Sequence, residues 1–212
     1  IKHTKKIAIA NKESIICGWN LINKELLKNK TSFIPVDSEH FSIFQLMKNQ
    51  SLNSIKKIIL TASGGPFLNK KKFNTIRIKD ALKHPNWKMG KKISIDSSTL
   101  MNKVFEVIEA KKIFNLDLNK IDILINPNSY VHAVVIFKNG IIKFLAHETE
   151  MDIPIFNSIY DSNLKMSYKT KPLNLEKINK LNFSKPNKKY FKTKNILKLI
   201  PSKDSLFETA LI

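Results

Sequence analysis

Short apolar runs and one longer amphipathic segment alternate at the start of the chain. Ile7 to Ala10 predicts a short buried strand, because four consecutive apolar residues suit a strand that is covered on both faces. Residues 15 to 27 carry large apolar side chains three and four positions apart, the spacing of an amphipathic helix. Phe33 to Val36 predicts a second strand. A helix between two strands favours an α/β or α+β fold.

The same mixture continues to about residue 150. Further strands are predicted at Ile55 to Leu60, Ile121 to Ile125, Val131 to Phe137 and Ile141 to Ala146. Residues 41 to 47 predict a helix. Ser97 to Phe114 opens with hydroxyl residues that can cap free amides, so this segment is predicted to be the longest helix. Asn139-Gly140 lies between the last two strands and favours a type I′ hairpin turn.

Lysine dominates the charge of this chain. The formal net charge is +20, and Arg77 is the single arginine. Nucleic-acid readers usually use the bidentate fork of arginine, so a solvated basic surface is favoured over a nucleic-acid interface. No apolar run reaches the roughly 18–20 residues that a membrane span requires, so no membrane contact is predicted. Cys17 is the only cysteine and cannot form an internal disulfide, which fits a cytoplasmic protein.

Three carboxylates are the candidates for a metal site. Asp37 and Glu39 follow a predicted strand two positions apart, so an extended backbone would direct both to one face. Glu106 lies on the predicted long helix and would be the third oxygen ligand. An all-oxygen set suits Mg²⁺ or Mn²⁺ and not zinc. The alternatives are a solvated acidic loop and an ordinary ion pair on the helix surface.

Candidate hydroxyls, bare amides and one candidate lysine lie between these carboxylates in the sequence, and a second candidate lysine precedes them. Ser63-Gly64-Gly65 can bring a hydroxyl and backbone amides to a phosphate, although most such turns are only turns. Ser97 lies near the predicted start of the long helix, where free amides favour an anion. Asn102 and Lys103 share a helix face with the third carboxylate. Lys12 follows a strand end, a frequent ligand position in α/β sheets.

The segment from residue 69 to residue 90 is polar and lysine-rich, and it predicts a loop or lid. It contains His84, Trp87 and Met89. The tryptophan and the methionine can cover a bound ring and exclude water when the lid closes. The alternative is that Trp87 anchors the loop to the core. From about residue 161 the chain becomes rich in lysine and asparagine with scattered prolines, which predicts a linker or an extended segment.

Five segments together resemble one enzyme family. They read IANKES (9–14), PVDSEH (35–40), SGGPF (63–67), HPNWKMG (84–90) and ISIDSSTLMNK (93–103). In this order they are similar to 1-deoxy-D-xylulose 5-phosphate reductoisomerase. The resemblance implies a metal- and NADPH-dependent conversion of 1-deoxy-D-xylulose 5-phosphate to 2-C-methyl-D-erythritol 4-phosphate, a step of non-mevalonate isoprenoid biosynthesis.

The resemblance also implies roles for individual residues. The metal ligands are expected to be Asp37, Glu39 and Glu106, and with Lys12 they form the expected catalytic set. Residues expected to contact the phosphorylated sugar are Ser38, Ser63, His84, Trp87, Ser97, Asn102, Lys103 and Glu106. Residues expected to contact NADPH are Asn11, Lys12, Glu13 and Met89.

The family further implies a division of the chain and an assembly. Residues 1–33 are expected to end a Rossmann-like NADPH-binding domain that begins before Ile1. Residues 34–160 are expected to form the catalytic domain, a mixed sheet covered by helices. Residues 161–212 would be a linker toward a C-terminal helical domain. A homodimer is expected through the hairpin around Asn139-Gly140. The alternative is a catalytically inactive basic module that binds RNA or another polyanion on the same scaffold.

Overall fold

The chain folds into helices packed on two small sheets. The computed structural model describes residues 1–70, 76–160, 166–169, 171–187, 191–201 and 205–212. Within these ranges a mixed four-stranded sheet is covered by helices, which confirms the predicted α/β class. No helix in the same ranges combines the length and the apolar character needed to cross a bilayer.

A strand–helix–strand unit opens the chain. Strand β1 (Lys6–Ile9) and strand β2 (Ser32–Pro35) pair in parallel, and helix α1 (Lys12–Asn29) connects them. The Asn11 side chain caps the first turn of α1 by accepting a hydrogen bond from the Ser14 amide at 2.8 Å. The prediction that the first strand is buried was wrong, because its residues alternate between exposed and half-buried.

The larger sheet has the strand order β4-β3-β5-β6. These strands are β3 (Ile55–Ala62), β4 (Ile121–Ile125), β5 (Val131–Phe137) and β6 (Ile142–Ala146). Strands β3 and β4 are parallel, whereas β5 is antiparallel to both β3 and β6. The parallel pair therefore directs the carboxyl ends of β3 and β4 to the same edge of the sheet.

The hairpin between β5 and β6 differs from the predicted type I′ turn. The Gly140 amide bonds the Phe137 carbonyl at 3.1 Å, and the Phe137 amide bonds the Ile141 carbonyl at 2.9 Å. Gly140 has a positive φ of 87°, whereas Asn139 does not have a positive φ. A type I′ turn needs a positive φ at both central residues, so this loop is a type I turn followed by a left-handed glycine.

The predicted long helix is two helices. Helix α4 (Lys91–Ser98) ends before Leu100, which adopts a left-handed φ of 62°, and helix α5 (Met101–Ile113) begins directly after it. The Ser98 hydroxyl donates to the Ile95 carbonyl at 2.7 Å, so it binds the end of α4 instead of capping the start of α5. The longest helix in the described ranges is α1, with 18 residues.

Helix α5 is the centre of the packing. Val107, Ala110 and Phe114 contact the core that strands β3, β4 and β5 share with helix α2 (Ser38–Leu46). The other side of α5 packs against Ile16 of α1 in a second apolar cluster. Every residue of α5 from Lys103 to Ala110 is buried, including its charged ones. The helix is therefore covered on all sides over this stretch.

Residues after the hairpin return to the core. Helix α3 (Ile78–Ala81) lies within the predicted lid segment of residues 69–90, of which residues 71–75 are outside the described ranges, and helix α6 (Asp152–Tyr160) follows the hairpin. Two short helices follow, α7 (Leu175–Asn179) and α8 (Leu206–Leu211), with a 3₁₀ segment at Lys192–Leu199. Phe191 and Ile200 are buried in the two apolar clusters, so the chain near these two residues packs on the domain. Its role as a linker stays a prediction.

The loop after β3 passes very close to the backbone at the end of helix α4. Gly64 and Gly65 have φ values of 85° and 65°, which lie in the left-handed region that glycine tolerates best. A Cβ added at Gly65 would lie 3.0 Å from the Ser97 carbonyl oxygen, at the end of α4. The glycine therefore permits the close approach of this loop to α4.

Gly65→Ala should lower the free energy of unfolding by about 1–3 kcal/mol, because it combines a strained φ with a clash against backbone atoms. Gly18→Ala is the matched control. Gly18 is inside α1, and its nearest potential contact is 3.8 Å away, so this change should raise the free energy of unfolding by about 0.5–1 kcal/mol. Urea titrations of both variants measure the free energy of unfolding. Equal changes in the two variants would contradict the conclusion that Gly65 is needed for the close approach of the loop to α4.

Candidate functional site

One cavity of about 540 Å³ lies where the junctions between strands and helices meet. The β1–α1 and β2–α2 junctions, the end of β3, the lid segment and the start of α5 all contribute to its wall. Every site residue predicted from the sequence lines it: Asn11, Lys12, Glu13, Asp37, Ser38, Glu39, Ser63, His84, Trp87, Met89, Ser97, Asn102, Lys103 and Glu106. The structure thus brings these residues together, and their individual roles remain predictions.

The three predicted metal ligands converge in this cavity. One carboxylate oxygen from each of Asp37, Glu39 and Glu106 lies within 4.8 Å of the other two. Two oxygens bound to the same Mg²⁺ can be at most about 4.2 Å apart, twice the usual Mg–O distance. Small side-chain rotations therefore suffice to bring all three onto one ion. The oxygen-only donor set also fits Mg²⁺ or Mn²⁺.

Two lysines hold these carboxylates in place. The Lys103 ammonium lies 2.6 Å from Glu39 Oε1 and 2.5 Å from Glu106 Oε2. The Lys12 ammonium lies 3.0 Å from Asp37 Oδ2. Both lysines are buried, with 5% and 8% of their surface exposed, so neither is an ordinary solvated surface charge. The alternative interpretation, an ordinary ion pair on the surface of this helix, is therefore wrong.

Two further charged groups adjoin the site, and they are not among the residues predicted from the sequence. His40 and Glu109 are both 0% exposed. The His40 Nδ1 atom lies 3.2 Å from Asp37 Oδ1, and its Nε2 atom lies 2.8 Å from the Glu106 carbonyl oxygen. The signal in the sequence is spacing, because His40 follows Asp37, and Glu109 follows Glu106, by three residues in a helix.

Three pKa values in this cluster are raised, that of Glu106 by burial and neighbouring charge together, and those of His40 and Lys12 by neighbouring charge against burial. Burial, and next the Glu39 carboxylate, raise the pKa of Glu106 to about 8. Burial alone would lower the pKa of His40, but Glu109 and then Asp37 outweigh it and raise the value to about 9. Burial likewise opposes the charge of Lys12, yet Asp37 and Glu109 raise its pKa well above the usual range. His40 and Lys12 are therefore cations at neutral pH.

The hydroxyl of Ser63 is oriented by two donors. The His84 Nδ1 atom accepts from the amides of Asn86 and Trp87 at 3.2 and 3.0 Å, which leaves the ring proton on Nε2. This Nε2 lies 2.8 Å from Ser63 Oγ, and the Gly65 amide donates to the same oxygen at 3.0 Å. With both acceptor positions taken, the Ser63 hydroxyl proton is free to be donated to an anion in the cavity.

The lid segment contacts the sheet. The Asn86 side-chain amide donates to the Pro127 carbonyl at 2.7 Å and to Ser129 Oγ at 2.8 Å. The Trp87 ring meets the edge of the His132 ring, with centroids 6.1 Å apart. Trp87 contacts the buried His132, as the predicted anchoring of the loop requires, and it also lines the cavity, so its role in covering a bound ring stays a prediction. His132 also lines the cavity, and the sequence analysis assigned it no role.

The remaining predicted anion contacts lie at the helix junction. Ser97 is near the C-terminal end of α4, not at the start of a helix, so the proposed attraction by helix amides does not apply to it. Asn102 is in the first turn of α5, and its Nδ2 donates to Glu106 Oε1 at 2.5 Å. Ser97 and Asn102 both face the cavity that contains the Ser63 hydroxyl.

Sequence comparisons identify proteins that are similar to this chain. The model of the 1-deoxy-D-xylulose 5-phosphate reductoisomerase C-terminal domain family matches residues 33–114. The reductoisomerase of that name from Pelagibacter ubique (strain HTCC1062) is 59% identical over 214 residues, which cover 100% of this chain and 55% of the relative. The one from Wolbachia sp. subsp. Drosophila simulans (strain wRi) is 46% identical, over 89% of this chain and 48% of the relative. The chain spans about half the length of these curated relatives.

Solved structures agree with this result. A DOX-P reductoisomerase in complex with NADPH, fosmidomycin and magnesium superposes with a TM-score of 0.83 at 35% identity, covering 93% of this chain and 51% of that one. The Zymomonas mobilis 1-deoxy-D-xylulose 5-phosphate reductoisomerase in complex with NADPH gives 0.81 at 33% identity, covering 91% and 50%. In sequence and in fold, the chain belongs to the 1-deoxy-D-xylulose 5-phosphate reductoisomerase family.

Proposed function

We propose that this chain carries the metal- and substrate-binding site of an NADPH-dependent 1-deoxy-D-xylulose 5-phosphate reductoisomerase. The observation that carries the proposal is the convergence of Asp37, Glu39 and Glu106 within 4.8 Å, in the same cavity as a hydroxyl donor and two buried lysines. A site of this kind can hold a sugar phosphate at its oxygenated end and at its anionic end. Related structures with NADPH and magnesium support the choice of cofactors.

The three carboxylates and Lys12 would act at the oxygenated end of the substrate. When bound, a divalent cation would polarise the ketone oxygen as a Lewis acid. Asp37, Glu39 and Glu106 would hold that cation, and Ser38, between the first two, would contact the substrate oxygens. The Lys12 ammonium, 3.0 Å from Asp37 Oδ2, would stand between the substrate and the nicotinamide. Its positive charge opposes the build-up of negative charge on the substrate.

The other end of the cavity suits a phosphate. The Ser63 hydroxyl has its acceptor positions filled and a proton to donate. Ser97, Asn102 and Lys103 line the same cavity and would be its partners at the phosphate. A cation bound to Glu39 and Glu106 would replace the Lys103 ammonium as their counter-charge, and the lysine would then be available to the phosphate. Hydrogen bonds to a charged group contribute about 1.5–3 kcal/mol each.

Closure of the lid would complete the site. His84, Trp87 and Met89 line the cavity from the lid segment and would cover the bound substrate and exclude water from it. Asn11, Lys12, Glu13 and Met89 also line the cavity and would contact NADPH. The division at residues 33 and 160, with a nucleotide-binding domain on one side and a linker on the other, belongs to the same proposal.

A homodimer in the cytoplasm is also part of the proposal. Strand β6 is the edge of the four-stranded sheet, and its Ile142 and Phe144 are 60% and 55% exposed. An exposed apolar edge strand is a template for pairing with another chain. This supports assembly through the hairpin that contains Gly140.

Turnover by the complete protein is the direct test. With 1-deoxy-D-xylulose 5-phosphate and Mn²⁺, we expect consumption of NADPH that stops when the metal is chelated. An absorbance assay at the nicotinamide band measures it. Absence of turnover together with salt-sensitive RNA binding would instead favour the inactive basic module.

Glu106→Gln should weaken Mn²⁺ binding by more than about tenfold, because it removes one anionic ligand and keeps the side-chain shape. Titration calorimetry measures the affinity. Glu208→Gln is the matched control, because Glu208 is also 0% exposed and pairs with Lys111 at 2.9 Å, but does not line the cavity. Equal Mn²⁺ affinity in the wild type and Glu106→Gln would remove Glu106 from the ligand set.

Ser63→Ala should raise the KM for the phosphorylated sugar by about tenfold or more, because one hydrogen bond to the phosphate is lost. The KM for NADPH should stay close to that of the wild type. Ser158→Ala serves as the control, since Ser158 is buried in α6, donates to the Pro154 carbonyl and does not line the cavity. Steady-state kinetics with each substrate varied in turn distinguish the two outcomes.

A further inference from the structure

Glu109 is a buried carboxylate that the function proposed above does not use. It lies one turn beyond Glu106 on α5 and is 0% exposed. It does not line the cavity and is not part of the three-carboxylate group. It therefore lies behind the site and cannot touch the substrate directly.

The contacts of Glu109 are with two cations of the site. Its Oε2 atom lies 3.4 Å from the Lys12 ammonium and 3.8 Å from His40 Nδ1. Neither carboxylate oxygen has a hydrogen bond within the described part of the chain. A buried charge is tolerated when opposite charges compensate it, and here the two cations provide that compensation.

We propose that Glu109 is a positioning residue that holds Lys12 and His40 in place behind the candidate cation site. The inference rests on the proposed function, because it concerns groups that would surround a bound cation. Lys12 reaches the cluster from the start of α1, and His40 from the first half of α2. Glu109 thus joins three helices through one carboxylate.

Asp37 by itself cannot hold Lys12 and His40 in place once a cation is bound. It contacts the same two groups, with Lys12 at 3.0 Å and His40 at 3.2 Å. A cation bound to Asp37 would draw on the same charge and weaken both contacts. Glu109 is outside the group of three carboxylates that would bind the cation, so its contact with Lys12 would persist in the loaded site. Asp37 would therefore bind the cation, whereas Glu109 would position Lys12 and His40.

His40 extends the effect to Glu106. Its Nε2 atom lies 2.8 Å from the backbone carbonyl oxygen of Glu106 and donates to it, whereas its Nδ1 atom lies 3.2 Å from Asp37 Oδ1. His40 therefore connects the carboxylate of Asp37 with the backbone of α5 at Glu106, and its position depends on the contact with Glu109.

The test measures the release of Lys12 directly. Folded wild type and Glu109→Gln are treated briefly with acetic anhydride, and acylation of each lysine is quantified by mass spectrometry. Lys12 should react about fivefold faster or more in the variant, because it loses a partner that keeps it buried. Lys103, equally buried in the same site but paired with other carboxylates, is the internal reference and should change by less than about twofold.

Glu208→Gln is the matched variant, because it neutralises another buried glutamate that pairs with lysines of α5. It should leave the Lys12 rate unchanged. An unchanged Lys12 rate in Glu109→Gln, or an equal rise at Lys12 and Lys103, would overturn the proposal. If Glu109→Gln does not fold, Glu109→Asp keeps the charge and lengthens both contacts, and its Lys12 rate should lie above that of the wild type.

Kinetics of the complete protein separate positioning from ligation. Glu109→Gln should lower kcat by about tenfold or more, with the KM for the sugar phosphate changed less than about threefold. Mn²⁺ affinity should stay within about threefold of the wild type. A loss of Mn²⁺ affinity like that expected for Glu106→Gln would make Glu109 a metal ligand and overturn the proposal. The acylation result does not depend on turnover, so inactivity of the wild type would count only against the proposed function.

Discussion

The burial of charged residues on helix α5 is the constraint on which the rest of the structure depends. Apolar residues of α5 pack on the sheet on one side and on α1 on the other, so the helix is covered all around. Lys103, Glu106 and Glu109 are carried into the interior with it. Charges in such a place must be compensated locally, because the desolvation of an unpaired ion costs several kcal/mol.

The compensation comes from junctions that are far apart in the sequence. Lys12 from the β1–α1 junction and Asp37, Glu39 and His40 from the β2–α2 junction meet the charges of α5. When all of these groups are ionised, four carboxylates face three cations, which leaves one negative charge in excess. This excess agrees with the raised pKa of Glu106 and with a site that gains from a bound divalent cation. The balance of charge in the cluster and the proposed function both favour a bound divalent cation.

The loops around the cavity are positioned by backbone geometry as much as by side chains. Two left-handed glycines turn the chain after β3 and allow it to approach the end of α4. The Ser63 hydroxyl and the His84 ring are then close enough to fix each other's hydrogen-bonding roles. Asn86 ties the lid segment to the loop between β4 and β5, while His84, Trp87 and Met89 of the same segment line the cavity.

The sequence by itself determined the elements and the chemical types at the site. Apolar spacing predicted α1 and β3 to β6, and the motif Asp37-Ser38-Glu39 pointed to a cation, because these signals are local. The break at Leu100, the type I turn before Gly140 and the pairing of Lys12 with Glu109 required the tertiary structure. Glu109 and Lys12 are separated by almost a hundred residues, and only the packing of α1 on α5 brings their charges within 3.4 Å. Local patterns specify which groups are available, whereas compensation of buried charge is decided by distances that only the folded chain has.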